Sequence, residues 1–268
     1  MAVKVADNAS VHPEAQLADD VEIGPFCCIG PQVTIGRGTR LENNVTVLGR
    51  VAIGQFNRIY PGAVIGAEPQ DLSYRGSDTC VTIGDHNTIR ECVTINRASE
   101  KEEGITSLGD HNFLMACSHV AHDCRLGDYI VLANGVLLGG HVRVDDRVTI
   151  SGAAAVHHFA TIGRYSFIGG MSRVTQDVPP YVLAEGNPAR PRCVNKVGLE
   201  RNNFPREIIA GLYAAFKLVY ISKLGLDSAR EALRESRQMY PAVNHFLGSI
   251  QLLHEGRHGR ARDRRRAA

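Results

Sequence analysis

The amino-acid sequence predicts a parallel β-helix with three faces, followed by a helical segment. Two observations support this prediction: an aliphatic residue recurs every six positions over most of the chain, and helical hydrophobic patterns replace it near residue 190. A period of six matches neither the 3.6 residues of a helical turn nor the two-residue period of a flat strand. We therefore interpret each hexad as a short strand plus a corner, and three hexads as one coil of about 18 residues.

The repeat comprises 25 hexads. It runs in one frame through residues 11–65 and 83–95, and it returns one residue out of phase over residues 108–174. Glycine directly follows the aliphatic residue in 11 of the 25 hexads, and we expect these glycines to supply the positive φ of sharp corners. The residue two positions before the aliphatic one, such as Val21 or Cys124, is mostly small or branched and predicts a second inward-facing position.

Two segments, "AEPQDLSYRGSDTC" and "RASEKEEGITS", interrupt the repeat. Extra segments in a solenoid form loops on one face, which is often the functional face. We therefore predict loop insertions near residues 67–81 and 97–107. Both lie within a β-helical domain that spans residues 1–189.

A C-terminal helical domain is predicted over residues 190–268. The segment "PREIIAGLYAAFKLVYIS" places a proline at a plausible first helical position, and "AVNHFLGSIQLLHEG" predicts another helix. Between them, "DSAREALRESRQMY" predicts a helix with Asp227 or Ser228 as its N-cap. The final "RHGRARDRRRAA" holds six arginines and predicts a solvated, disordered tail, with binding of nucleic acid or an acidic partner as the alternative.

The composition indicates in which cellular compartment the protein works and which kinds of partner it has. Apolar residues make up 44% of the chain, which is enough for a sizeable core, and no run approaches the roughly 18 apolar residues of a membrane helix. Seven cysteines without regular spacing predict no disulfide framework, and hence a reducing compartment. With no secretory leader in "MAVKVADNAS", we expect a cytoplasmic protein without stable membrane insertion. The formal charge of +2 indicates no particular partner, nucleic acid included.

The segment "ACSHVAHDCRLG" raises the question of catalysis. Residues 18 apart share a column of the β-helix, so four of the histidines between positions 119 and 158 are predicted to converge on one edge. His119 is the exception, because it aligns with Leu137 and Ala155. One predicted column contains His122, Gly140 and His158. A second column contains Asp123 and His141, and His157 lies close to both.

An outward histidine beside a carboxylate is typical of a general base, because its pKa is near neutrality and the carboxylate steadies the imidazolium. His122 lies two positions after the inward Val120, so we expect it to face outward. Cys124 occupies an inward position, and Cys117 belongs to the previous hexad, which disfavours convergent zinc ligands. Structural zinc and an ordinary surface histidine remain as alternatives.

The linked motifs "EPQDLSY", "HVAHDC", "GGHVRVDD", "AVHHF" and "QDVPPYVLAEGNPA" resemble those of the UDP-N-acetylglucosamine acyltransferases. The resemblance covers nearly the whole chain and implies a left-handed β-helix and a homotrimer with its sites between subunits. It also implies transfer of a 3-hydroxyacyl group from acyl carrier protein to the 3-hydroxyl of UDP-N-acetylglucosamine, in lipid A biosynthesis. No cofactor or metal is implied.

The resemblance further implies roles for individual residues. His122 is expected to be the general base, Asp123 its orienting partner, and the Gly140 N–H the donor to the oxyanion. Gly170 matches the position that limits acyl-chain length. The residues expected to bind substrate are Gln70, Asp71, His141, His157, His158, Asn195 and Arg201.

Three residues depart from the family pattern. Ser73 stands where lysine is common, His158 where glutamine is common, and Asn202 where a second arginine often follows Arg201. The loss of two cations leaves open an alternative acceptor, the 3-amino analogue of the nucleotide sugar. Two further alternatives are a zinc enzyme of the γ-carbonic anhydrase type and a purely structural solenoid. The sequence does not indicate acyl-chain length.

Overall fold

The computed structural model describes residues 2–255. Their strands form a parallel β-helix with three faces, against which a β-hairpin and helices pack. The strands of the first face are Lys4–Val5, Glu22–Ile23, Arg40–Leu41, Arg58–Ile59, Thr88–Ile89, Phe113–Leu114, Val131–Leu132, Thr149–Ile150 and Phe167–Ile168. The second face comprises Ser10–Val11, Cys28–Ile29, Thr46–Val47, Val64–Ala67, Thr94–Asn96, His119–Val120, Leu137–Leu138, Ala155–Val156 and Arg173–Val174. The third face comprises Gln16–Leu17, Val33–Ile35, Arg50–Ile53, Cys80–Ile83, Ile105–Leu108, Arg125–Leu126, Arg143–Val144 and Thr161–Ile162.

The register between coils confirms the 18-residue repeat. Lys4 pairs with Glu22 on the first face, and Leu137 pairs with Ala155 on the second. Two coils are longer, because Arg58 pairs with Thr88 and Thr88 pairs with Phe113. The additional residues, within 68–79 and 97–104, connect second-face strands to third-face strands. Both insertions therefore project from the same edge of the prism.

The predicted inward positions form the core. The aliphatic residues Ile59 and Ile89 are completely buried. The second inward position is buried as well, as at Val21, Cys27 and Cys124, each at most 1% exposed. Parallel strands thus enclose a narrow core in which aliphatic and small side chains alternate.

The role expected for the repeated glycines is wrong for most of them. The positive φ falls instead on the second residue of a corner, for example at Asp123 (61°) and His141 (62°). Gly36 keeps an ordinary φ and is required by close approach, since an added Cβ would lie 2.5 Å from the carbonyl carbon of Gly54. Backbone hydrogen bonds such as that from His141 N–H to His122 O (3.0 Å) offset the cost of about 1–2 kcal/mol for left-handed backbone at non-glycine residues.

The β-helix continues into an antiparallel hairpin, Val182–Gly186 and Ala189–Val194, that extends the first face. The predicted division of the chain at residue 190 falls inside this hairpin, and the division into two domains stays a prediction. The helices that follow are α1 (Lys196–Arg201), α2 (Arg206–Phe216), α3 (Leu226–Glu235) and α4 (Pro241–His254), with a π-helical turn at Lys217–Ile221. The arginine-rich tail lies outside the described residues.

The helix starts differ in detail from the expectations. Pro205 is the residue before α2 rather than its first residue. Helix α3 begins at Leu226 after Gly225, so the prediction of Asp227 or Ser228 as its N-cap was wrong. Helix α1 was not predicted, because it is short and is stabilised by the Asn195 side chain, which accepts a hydrogen bond from Gly198 N–H at 3.1 Å. Within residues 2–255, every helix falls short of the length and apolarity needed to cross a bilayer.

Replacing Gly36 by alanine is expected to lower the free energy of unfolding by about 1–3 kcal/mol, because the new methyl group meets backbone that cannot move aside. Urea unfolding followed by circular dichroism measures the change. Gly152→Ala is the matched control, since its Cβ would lie 3.4 Å from the nearest atom, the Asn134 carbonyl oxygen. Equal unfolding midpoints for the two variants would contradict the explanation by close approach.

Candidate active site

The edge between the second and third faces carries an open cleft of about 800 Å³. The coils contribute corner residues to it, and the two insertions contribute loop residues. Its lining includes His122, Gly140, His141, Gln70, Asp71 and Lys101. The register of 18 residues thus brings together residues that are distant in the sequence, as the column argument predicted.

His122 and Asp123 are the two corner residues of one coil. The His122 Nδ1 lies 2.8 Å from Asp123 Oδ2, and their side chains are 12% and 1% exposed. An ionised carboxylate can only accept, so Nδ1 carries the proton and Nε2 is left as a basic nitrogen. The pair has the geometry of a general base with its orienting carboxylate.

Asp123 is held by further hydrogen-bond partners from the coil before it. Its Oδ2 accepts hydrogen bonds from Ser99 Oγ (2.6 Å) and from Ser99 N–H (3.0 Å). The Asp123 N–H donates to Thr106 Oγ1 at 2.8 Å. Burial raises the pKa of this carboxyl, but the bonds from His122 and Ser99 outweigh burial and hold the pKa below its ordinary value. Asp123 therefore stays ionised beside the imidazole.

His141 lies one coil further, directly above Asp123. Its Nε2 is 3.8 Å from Asp123 Oδ2 and its Nδ1 is 3.7 Å from Glu102 Oε2. Its ring stacks on Phe159 with centroids 4.3 Å apart and meets the His122 ring edge-on at 5.1 Å. The buried His141 is thus fixed in orientation at the floor of the cleft.

Gly140 faces the imidazole of His122. A Cβ at this position would lie 2.5 Å from His122 Cε1, so only glycine fits. No acceptor within residues 2–255 bonds its N–H. Other corners have proline at the equivalent position, as at Pro25 and Pro61, which agrees with an N–H that the fold itself does not use. Gly140 is thus a buried residue that lines the cleft next to His122 and has an N–H without an acceptor in residues 2–255.

Possible metal ligands occur in the cleft: His122, Asp123 and His141 have ligating atoms within 4.8 Å of one another. Asp123 Oδ2, however, already accepts three hydrogen bonds, from His122 and Ser99. A cation bound at Oδ2 would have to displace these donors, whereas Oδ1 is buried without a hydrogen-bond partner within residues 2–255. The arrangement fits a hydrogen-bonded base better than the zinc site considered as an alternative.

The insertion loops contribute an ion pair at the rim. Lys101 Nζ lies 2.6 Å from Asp71 Oδ2, while Asp71 Oδ1 accepts bonds from Ser73 N–H (2.9 Å) and Ser73 Oγ (2.8 Å). The Lys101 ammonium is the main reason that the pKa of Asp71 lies well below its usual range. Gln70 lines the cleft beside them.

The remaining histidines differ in position. His158 lines the cleft, and His157 lies beside it with ring centroids 3.8 Å apart, outside the residues that line the cleft. His119 lies on the second face and bonds Thr94 Oγ1 through Nδ1 at 2.7 Å. Burial lowers the pKa of His119, and so does the nearby His122. His119 is thus separate from the cleft, as the alignment predicted.

Three further predicted residues lie on other edges of the same chain. Gly170 is a corner residue between the first and second faces. Asn195 and Arg201 line a separate pocket of about 510 Å³ near the edge between the third and first faces. In that pocket Arg147 donates to Asn202 Oδ1 at 2.9 Å. A single chain therefore does not bring these residues to His122.

Sequence reasoning missed Lys101, which lines the cleft, and several residues that contact Asp123 or His141 behind it. Ser99, Lys101 and Glu102 belong to the second insertion, and Thr106 follows it. The position of the interruptions in the repeat was the available signal. Both interruptions follow a strand of the second face, as His122 does, so both belong to the same edge of the prism. Counting coils across the interruptions identifies the edge, but not which loop side chains turn inward.

The chain was compared with known proteins. Residues 177–260 match the family model described as UDP N-acetylglucosamine O-acyltransferase, domain 2, and residues 2–37 match the bacterial transferase hexapeptide model. An acyl-[acyl-carrier-protein]–UDP-N-acetylglucosamine O-acyltransferase of Thermodesulfovibrio yellowstonii is 44% identical over 92% of this chain and 96% of its own length. The enzyme of that name from Synechocystis sp. is 47% identical over 77% of this chain and 74% of its own.

The chain belongs to the UDP-N-acetylglucosamine O-acyltransferase family. The crystal structure of a member from Bacteroides fragilis superposes with a TM-score of 0.88 at 37% identity, covering 92% of this chain and 96% of that one. Family membership confirms the expected fold class, a left-handed parallel β-helix of hexapeptide repeats with a C-terminal helical region. It also makes this chain an acyltransferase.

Ser99→Ala is expected to lower kcat/KM about tenfold, because it removes one of the charge-assisted bonds that hold Asp123 beside His122. Steady-state acyl transfer measures the effect. Ser118→Ala is the matched control: Ser118 is completely buried in the neighbouring corner, but its hydroxyl has no hydrogen-bond partner within residues 2–255. Equal activities of the two variants would show that the Ser99 hydroxyl is not needed.

Proposed function

We propose that the protein transfers a (R)-3-hydroxyacyl group from acyl carrier protein to the 3-hydroxyl of UDP-N-acetylglucosamine, as a step of lipid A biosynthesis. The observation that carries this proposal is the hydrogen-bonded His122 and Asp123 pair beside Gly140 in the cleft. The names of the relatives, which are acyl-carrier-protein-dependent O-acyltransferases, support the choice of donor and acceptor.

In the proposed reaction, His122 Nε2 takes the proton of the sugar 3-hydroxyl while that oxygen attacks the thioester carbonyl carbon. Asp123 stabilises the imidazolium that forms, since its hydrogen bond to Nδ1 becomes an ion pair. The C–S bond then breaks, and the departing thiolate of the carrier takes the proton from Nε2. The enzyme returns to its starting state without a covalent intermediate and without a cofactor.

In this proposal the Gly140 N–H donates a hydrogen bond to the carbonyl oxygen and stabilises the negative charge that develops on it. A preorganised backbone donor of this kind contributes roughly 3 kcal/mol to the stability of a transition state. Gly140 suits the role because its donor has no partner within the described residues and lies against the base. The same glycine leaves room for the thioester, which a Cβ would exclude.

The remaining roles are proposals that follow the family resemblance. Gln70 and Asp71 bind hydroxyl or amide groups of the sugar, which suits an amide and an ionised carboxylate at the cleft. The histidines His141, His157 and His158 position the substrate. Asn195 and Arg201 contact the nucleotide.

We propose that the active enzyme is a homotrimer. Gly170, proposed to limit acyl-chain length, and the pocket of Asn195 and Arg201 lie on edges of the prism other than that of His122. Packing three chains edge to edge brings different edges together in each interface. This arrangement would complete each site from two subunits.

The alternatives have less support. Relatives named O-acyltransferases favour a hydroxyl acceptor over the 3-amino analogue. The γ-carbonic anhydrase hypothesis does not account for the match of residues 177–260 to an acyltransferase domain. We place the reaction in the cytoplasm, because all seven cysteines are free, including exposed Cys28, Cys92 and Cys117.

The function is tested by incubating the protein with UDP-N-acetylglucosamine and a panel of (R)-3-hydroxyacyl carrier proteins, with mass analysis of the products. His122→Ala is expected to reduce transfer by roughly 100- to 10,000-fold, because it removes the general base. His119→Ala is the matched control, since this neighbouring histidine faces Thr94 rather than the cleft. The same panel measures the preferred chain length.

Two results would contradict the proposal. One is a correctly folded His122→Ala variant that retains wild-type turnover. The other is a wild-type enzyme that acylates only the 3-amino sugar when the two nucleotides are compared side by side.

The shared site is tested by mixed oligomers. His122→Ala and Arg201→Ala chains, each weakly active alone, are expected to regain activity when co-expressed and purified through two different tags. The physical reason is that some interfaces then combine an intact His122 from one chain with an intact Arg201 from its neighbour. The control is the same two variants purified separately and mixed without subunit exchange. Mixed oligomers no more active than this control would show that each site lies within one chain.

A further inference from the structure

The cleft contains a single positively charged lysine or arginine among the described residues that line it, Lys101. This lysine belongs to the second insertion, whereas its ion-pair partner Asp71 belongs to the first. The pair therefore joins the two loops across the mouth of the cleft. Neither the fold nor the strand register requires this contact.

The position of Lys101 is tied to the catalytic pair. Its backbone N–H donates to Ser99 Oγ at 3.3 Å, and the same hydroxyl donates to Asp123 Oδ2. Three hydrogen bonds, through Asp123 and the Ser99 hydroxyl, thus connect the His122 imidazole to the backbone of Lys101. A group bound by Lys101 is consequently held at a defined distance from the His122 imidazole.

The ammonium of Lys101 has capacity beyond its ion pair. It carries three N–H donors, of which Asp71 Oδ2 takes one. Its acidic neighbours in sequence have contacts of their own: Glu100 accepts from Arg75 N–H, Glu102 lies near His141, and Glu103 pairs with Arg125. With its side chain 42% exposed, Lys101 has both the charge and the access to meet an anion entering the cleft.

We propose that Lys101 is the phosphate-binding residue of this cleft and contacts the diphosphate of the nucleotide sugar. The inference rests on the proposed function. Phosphate occurs in both substrates, as the diphosphate of the acceptor and as the phosphodiester of the carrier's prosthetic group. The acceptor is favoured because Asp71 and Gln70, which suit sugar hydroxyl and amide groups, lie beside Lys101.

The proposal also explains how the chain functions with serine at position 73. Ser73 does not provide a cation, but its N–H and hydroxyl both bond Asp71 Oδ1 and fix that carboxylate toward Lys101. The positive charge of the cleft is thereby supplied by the second loop. An ammonium bonded to a phosphate oxygen is a strong, charge-assisted contact.

The test measures KM for each substrate and calorimetric binding of UDP for wild type, Lys101→Met and Lys101→Arg. Lys101→Met is expected to raise the KM for UDP-N-acetylglucosamine and the Kd for UDP about 10- to 100-fold, with the KM for acyl carrier protein unchanged. It should also weaken the dependence of UDP binding on ionic strength. Lys101→Arg, which keeps the charge, should restore most of the affinity.

Two comparisons separate phosphate binding from a structural role. Lys4→Met is the matched control, because Lys4 on the first coil makes a similar exposed ion pair with Glu22 on the next coil (2.9 Å), remote from the cleft. Asp71→Asn breaks the loop-to-loop ion pair while retaining the lysine. If Lys101 binds phosphate, adding Lys101→Met to the Asp71→Asn variant should weaken UDP binding further.

The outcomes are distinct. A wild-type enzyme that turns over UDP-N-acetylglucosamine, with Lys101→Met indistinguishable from Lys4→Met, would overturn this inference and leave the proposed function standing. A rise confined to the KM for acyl carrier protein would overturn the choice of the nucleotide sugar. Equal losses of UDP affinity in Lys101→Met and Asp71→Asn, with no further loss in the double variant, would show that Lys101 only links the two loops and does not bind phosphate. A wild-type enzyme inactive toward the nucleotide sugar would overturn the proposed function and this inference together.

Discussion

The register between coils is the constraint on which the rest of the structure depends. Outside the two longer coils, parallel pairing fixes each residue above the one 18 positions earlier, so corner residues form straight columns along the prism. One column holds His122, Gly140 and His158, and the neighbouring column holds Asp123, His141 and Phe159. A shift of one residue in a single coil would rotate the base toward the core and remove the glycine beside it. The aliphatic residues that enforce the register are therefore indirectly responsible for the chemistry.

The second level of organisation is the network around Asp123. This residue adopts a left-handed backbone conformation at the corner, and hydrogen bonds with Ser99, Thr106 and His122 hold both its backbone and its carboxylate. Ser99 comes from an insertion and His122 from a regular coil. The network thus attaches the second insertion to the regular coils of the β-helix. Burial alone would favour a neutral acid, and these bonds keep it charged.

The fold could be predicted from sequence because the six-residue period repeats many times and each inward position has one physical requirement. The edge carrying His122, Asp123 and Gly140 followed from counting, and the structure places them together. The function of the glycines could not be predicted, since a sequence does not distinguish positive φ from close approach. Lys101 and Glu102 were missed for a different reason: irregular loops have no period. The distance of Arg201 from His122 within one chain became visible only in three dimensions.

Both insertions leave the prism at the same edge, and this has a consequence for how the substrate preference of the fold can change. Because the strands on either side of each loop return to register, the loops can vary in length and charge without disturbing a single rung of the prism. In the proposed reaction the proton is transferred by corner residues of the rigid columns, whereas Asp71 and Lys101, which are proposed to bind the acceptor, lie on the two loops. Exchange of these loops between family members is thus a route to new acceptor preferences, provided that the second loop keeps Ser99, whose hydroxyl and N–H hold Asp123.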